Sequence, residues 1–278
     1  MKTVNSLIIL MATILQLFSC TERIDLPLDG NDMKLVVEGT ITTNTATVLL
    51  TQTTGYSYNQ PPPPVTGAHV VIDDGETLIE FAEPFPGVYQ PAHNFYGIEG
   101  KTYTLKINLA APINGIDKFT ATSYMNYAVK LDSAAIDFLS HYRDSGLWQV
   151  KCWLQDTPLS DYYRIILRKN GEDITSGIGR WIITDDTFFN GQYLSGVTVA
   201  YLNPDEEYEK LVSGDILDVE LYTISREYYN FITDAKSELF GSNPLFSGPG
   251  ANIRGNISGG AVGFFAAYPI SIATVTVP

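Results

Sequence analysis

The chain has 278 residues, 45% of them hydrophobic, with 17 basic against 31 acidic side chains and a formal net charge of -14. That hydrophobic content excludes wholesale disorder. The acidic balance excludes nucleic acid as a partner, and docking on anionic lipid, since both need clustered Lys and Arg. The length suits one large or two medium domains.

Lys2 opens an apolar run through Leu7, Ile8, Ile9, Leu10, Ile14, Leu15 and Leu17. It is too short for a membrane-spanning helix, which needs roughly twenty apolar residues. A short run behind a positive start is the anatomy of a signal peptide. Leu17-Phe18-Ser19-Cys20 places an aliphatic residue three positions before a cysteine and a small residue just before it. This is the pattern of a bacterial lipoprotein signal, with residues 1–19 removed and Cys20 acylated. One acyl chain anchors marginally and several hold firmly, at about 0.8 kcal/mol per buried methylene. Residues 20–33, punctuated by Pro27 and Gly30, read as a lipidated tether.

From Lys34 the sequence turns to short runs rich in Val, Ile, Thr and Tyr. Strands are predicted over 34–41, 45–53, 68–72, 77–81, 87–89, 102–107 and 119–124. Asp73-Asp74-Gly75 predicts a hairpin turn between the third and fourth. About seven short strands in this span predict an immunoglobulin-like or transthyretin-like sandwich over 34–126. Gly100 is expected to turn the chain, and Tyr103 to close a strand corner with its hydroxyl on backbone.

A second β domain, a sandwich or open barrel, is predicted over 127–278. Residues 148–155 alternate, with Cys152 on one face with Val150 and Leu154. The run 162–167 leads into Asn170-Gly171, a type I′ hairpin signal. Runs 180–184 and 196–200 are joined across a second Asn-Gly, Asn190-Gly191. In 215–224, Leu217, Val219 and Leu221 share a face. One helix is predicted near 226–240, capped by Ser225, with Glu227 in its first turn and Gly241 as its stop. Tyr228, Ile232, Ala235 and Leu239 mark its packed side. Final strands follow over 261–265 and 270–277. The fold class is therefore all-β with one inserted helix.

Chemistry is sparse. With Cys20 acylated, Cys152 has no partner for a disulfide and reads as an inert buried thiol. His69, His93 and His141 lie far apart in the sequence, in no metal-ligand spacing. Asp185-Asp186 resembles a fragment of a calcium loop, but the regular oxygen spacing is missing, and a solvated turn is the expectation. Asp205-Glu206-Glu207 reads as a solvated acidic loop. No nucleophile elbow is present, and Gly248-Pro249-Gly250 lacks the Lys-Ser/Thr ending of a phosphate loop. No catalytic residue, metal or cofactor is assigned. Tyr56 and Tyr58, running into Pro61, Pro62, Pro63 and Pro64, form a candidate contact loop. Polyproline is stiff and loses little entropy on binding, and tyrosines offer amphipathic contact area. The alternative is a rigid connection between strands. Asp132-Ser133-Ala134 resembles a short bacterial acceptor pattern for O-glycosylation, the alternative being that Ser133 simply starts a strand.

The ordered set of Cys20, Lys34-Leu35-Val36-Val37-Glu38-Gly39, Gly87-Val88-Tyr89, Gly100-Lys101-Thr102-Tyr103-Thr104-Leu105, Asp161-Tyr162-Tyr163-Arg164 and Asn256-Ile257 with Gly263-Phe264-Phe265 carries a resemblance. It resembles the Bacteroidota outer-membrane lipoproteins catalogued as domain of unknown function forty-two forty-nine. The resemblance implies an all-β, two-part protein whose genes often sit beside TonB-dependent transporters, and it brings no catalytic residues. The Gly100 to Leu105 stretch also resembles carboxypeptidase-regulatory-like domains, which is a likeness of fold.

The expectation is a non-enzymatic outer-membrane lipoprotein that partners a TonB-dependent β-barrel transporter or displays a binding surface. A cell-envelope structural or adhesion module is the alternative, and a glycan or peptide hydrolase the third reading. The partly acidic Thr21-Glu22-Arg23-Ile24-Asp25 favours the cell-surface face over the periplasmic one.

Overall fold

A computed structural model describes residues 33–54, 60–142, 144–240 and 253–278. Eight strands form one hydrogen-bonded sheet in the order β15-β1-β2-β5-β4-β3-β6-β7. They are β1 (Leu35–Thr42), β2 (Ala46–Gln52), β3 (His69–Asp73), β4 (Leu78–Phe85), β5 (Val88–Pro91), β6 (Thr102–Ile113), β7 (Ile116–Tyr124) and β15 (Val262–Tyr268). The predicted hairpin is present. Asp74 Oδ1 accepts from the Glu76 and Thr77 amides, and Asp73 accepts from Gly75. Tyr103, fully buried, binds the Ile98 amide through its hydroxyl at 2.6 Å, the corner expected from the sequence. The described residues are all-β with one α-helix. The two halves of the expected first sandwich are continuous, so the sheet rolls into a nearly closed barrel.

Its two edges, β7 and β15, are joined by side chains and by the segment ahead of β15. The Ala267 amide donates to Ser123 Oγ at 2.8 Å. The Asn256 amide group donates to the Thr122 and Phe265 carbonyls at 3.1 and 2.7 Å and accepts from the Phe265 N–H at 2.8 Å. Ser258 exchanges two backbone-anchored bonds with Thr120. The interior is filled by Val37, Ile41, Leu50, Ile72, Tyr89, Tyr103, Leu105 and Phe265, a packed core.

Two further sheets follow. One has the order β11-β10-β14-β16, with β12 also on β10; the other is β13-β9-β8. Their strands are β8 (Leu131–Leu139), β9 (Leu147–Gln155), β10 (Tyr162–Lys169), β11 (Glu172–Asp173), β12 (Ile182–Asp185), β13 (Tyr193–Leu202), β14 (Ile216–Ile224) and β16 (Ile270–Thr276). Val150, Cys152 and Leu154 of β9 pack against Leu217, Val219 and Leu221 of β14, on the faces the alternation predicts. Asn170 and Gly171 take positive φ, 51° and 88°, and turn β10 into β11. Asn190-Gly191 makes no hairpin. It carries the chain from β12, which pairs with β10, to β13, which pairs with β9.

The helix α1 (Arg226–Phe240) lies between β14 and β15 and starts on the Ser225 hydroxyl, which accepts from the Tyr228 amide at 3.2 Å. Tyr228, Ile232 and Ala235 are buried as expected, but Leu239 is 58% exposed. The stop at Gly241 lies outside the described residues. Among those residues no helix is long and apolar enough to cross a membrane.

Strand β15 ties these layers together. It pairs in parallel with β1, Val36 opposite Val262 and Thr42 opposite Tyr268. Phe265 and Ala267 point into the barrel, while Phe264, Ala266 and Tyr268 pack on β10, β14 and α1. A strand buried on both faces reads as a continuous apolar run. The 126/127 boundary drawn from sequence is therefore crossed, since β15 from the second block completes the first sheet, and residues 33–278 form one unit. Gly263 permits the crossing: its φ is +103° and a Cβ there would lie 2.0 Å from the Val37 carbonyl oxygen.

Candidate functional site

Strand β10 carries chemistry on both faces. Tyr163, Ile165 and Leu167 face the β9 side, and Tyr162, Arg164 and Ile166 face α1. Arg164 sits opposite Tyr222 on β14 and Ile183 on β12. It is only 7% exposed. Its guanidinium lies 3.5 Å from the Trp181 ring centroid and 5.6 Å from that of Tyr222. Such contacts contribute up to about 2 kcal/mol when desolvated. No described carboxylate forms an ion pair with it, and Nε is buried without an acceptor. An unsatisfied buried donor costs about 1–3 kcal/mol, more when charged.

Arg164 lines a cleft of about 790 Å³ between the barrel wall and α1. Glu38 on β1 lines it too, and its apolar walls include Trp181, Phe231 and Phe264. The aromatic wall is continuous: Tyr228 lies 5.1 Å from Phe264, which lies 5.1 Å from Phe231. Burial is the main cause that pushes the Tyr228 hydroxyl up, so it stays neutral. Trp181 is held by Lys236 of α1, whose ammonium donates to the Trp181 carbonyl at 2.6 Å. The described lining thus presents one cation, one rim carboxylate and a broad aromatic surface.

On the other face, Tyr163 leads to three buried aspartates: Asp156 after β9, Asp161 before β10 and Asp186 after β12. One oxygen from each lies within 4.8 Å of the others. Tyr163 Oη donates to Asp156, Thr157 Oγ1 donates to Asp161, and the Asp161 amide donates to Asp186 at 2.9 Å. Burial first, then repulsion from Asp156 and Asp186, pushes the Asp161 carboxyl up, against the Thr157 bond. Three hard oxygens at this spacing could share one divalent cation. Nothing beyond the carboxylates marks the cluster as a cation site. The solvated turn expected at Asp185-Asp186 holds only in part. Asp185 caps Thr187, but Asp186 is 4% exposed, because the turn folds back onto Asp161.

Cys20, Tyr56 and Tyr58 lie outside the described residues. Pro61 and Pro62 are exposed. Pro63 accepts from the Gln52 amide at 3.0 Å and Pro64 bridges to Thr51, so this half of the run is fastened along β2. Ser133 is exposed inside β8, opposite Trp153 of β9, so it does not start a strand. Cys152 is buried, and burial pushes its thiol up to about 12. His69 pairs with exposed Glu80 at 2.8 Å. Sequence reasoning passed over Arg164 as a cleft residue and Asp156 altogether. The available signal was a lone charge inside the apolar run 162–167. No curated protein matches the chain. The family described as domain of unknown function (DUF4249) matches residues 21–272, and the chain belongs to that family.

Proposed function

We propose that the protein is a non-enzymatic binding module, held at the outer membrane by acylated Cys20 and working as an accessory of a TonB-dependent transporter. One observation carries the binding part of this reading: the cleft beside Arg164 is large and aromatic, with one buried cation and one carboxylate at its rim. Small-molecule sites have this character, mostly apolar walls with a few polar groups that fix orientation. Its described lining holds no nucleophile paired with a base, the arrangement that covalent catalysis needs. The lipoprotein signal supports the anchor, and the partly acidic start of the tether supports display on the cell surface. Exposed Pro61 and Pro62 offer a stiff contact surface for the transporter.

The test is extraction of native membranes in mild detergent through a C-terminal tag. A large β-barrel transporter is expected to co-purify with the protein, and Cys20→Ala is expected to release the protein from membranes. Recovery of the protein alone, or an unlipidated protein that stays membrane-bound, overturns the reading. Replacing Pro61 to Pro64 by Gly-Ser should weaken recovery of the partner, and protease shaving of intact cells reads the face.

A further inference from the structure

We infer that the Arg164 cleft binds a small monocarboxylate carried on an apolar, largely aromatic body. The inference deepens the binding-module reading above and rests on it. Arg164 is more than nine-tenths buried, its Nε has no acceptor, and no described carboxylate pairs with it. A cation kept in that state inside a concave site lacks its counter-charge, since buried charges are otherwise paired. Among the described residues no other fully buried side-chain nitrogen or oxygen lacks a partner.

The geometry sets the chemical class. Trp181 lies against the guanidinium at 3.5 Å, and Tyr222 stands 5.6 Å away. Stacking occupies the plane's face and leaves the in-plane N–H groups as donors. That planar fork matches a carboxylate. Charge sets the valence. Arg164 is the one described cation lining the cleft, and Glu38 lines it with the opposite sign. A dianion such as a phosphate monoester would meet one positive charge and one negative. A monoanion meets the cation and leaves the rest of the ligand to Phe231, Phe264 and Trp181. The volume, about 790 Å³, leaves room for a body larger than the head group.

The probe is 3-phenylpropanoate, with 3-phenylpropanamide as the neutral isostere and phenyl phosphate as the dianion. Binding to the purified full-length protein in micelles is measured by titration calorimetry, with empty micelles subtracted. The acid is expected to bind at least roughly tenfold tighter than either analogue, the margin set by a charge-assisted fork. Arg164→Lys keeps the charge, loses the fork and should weaken the acid roughly tenfold. Glu38→Gln, at the exposed rim, removes a repulsion and should tighten it about two- to fivefold. Equal binding of acid and amide, a preference for phenyl phosphate, or absence of saturable binding overturns the inference. Should Arg164→Lys fail to fold, Glu38→Gln decides: an unchanged affinity overturns it. Acid binding without a co-purifying transporter would end the accessory reading and leave this one standing. A co-purifying transporter without acid binding would do the reverse.

Discussion

Asn256→Ala should open the barrel seam. One side chain there joins β7 to β15 through three hydrogen bonds, of 3.1, 2.7 and 2.8 Å. At about 1 kcal/mol net per bond, the ceiling on the loss is about 3 kcal/mol. Asn256 is half-buried, so water replaces part of what is lost, and the expected destabilisation is about 2 kcal/mol. For a chain of this size that lowers Tm by about 4–8 °C. Urea denaturation followed by tryptophan fluorescence measures it, with the slope of the transition unchanged. Asn256→Asp sharpens the test. It keeps the acceptor for the Phe265 amide, loses both donated bonds, and sets a carboxylate against two carbonyls. It should be at least as damaging as Ala at neutral pH and recover as the carboxyl protonates. An Asn256→Ala protein within about 0.5 kcal/mol of wild type would refute the reasoning, because ordinary surface substitutions fall in that range. The packing of Phe265 and Ala267 would then suffice to close the sheet.

Three further outcomes follow from the same structure. Asp161 has a raised folded-state pKa, so stability falls as pH rises from its unfolded value through the folded one, and the penalty persists at neutral pH. Asp161→Asn should therefore raise Tm at about pH 7.5 and make no difference near pH 3. A neutral-pH loss that chelation removes would instead identify the three aspartates as a cation site. Gly39→Ala puts a Cβ 2.8 Å from Phe265 Cδ2 and should cost about 1–3 kcal/mol by overpacking. Phe265→Leu in the same chain should recover part of that cost, and strictly additive losses would exclude the clash. Cys152, with its thiol pushed up to about 12, should resist a disulfide reagent in the native protein and react once urea unfolds it. Complete native labelling within minutes would contradict its burial.

Features that depend on neighbours along the chain were legible in the residues alone. Alternation placed Leu217, Val219 and Leu221 on one face, because successive strand side chains point to opposite sides. Asp-Gly and Asn-Gly fixed two hairpins, Ser225 fixed a helix start, and Tyr103 announced its corner, each through a local backbone demand. Where demands were not local the text was silent. Nothing near Val262 says that it pairs in parallel with Val36, and nothing near Asn190-Gly191 says that the chain changes sheets there. Both are settled by which apolar faces can be covered at once. β15 must hide Phe265 in the barrel and Phe264 against α1, and only one place in the fold does both. The same closure brings Glu38, Arg164, Trp181 and Phe231 to one cleft, and Asp156, Asp161 and Asp186 to one cluster. Periodicity tells which side of a strand is buried. Only the packed molecule tells against what, and both sites are made of that second kind of information.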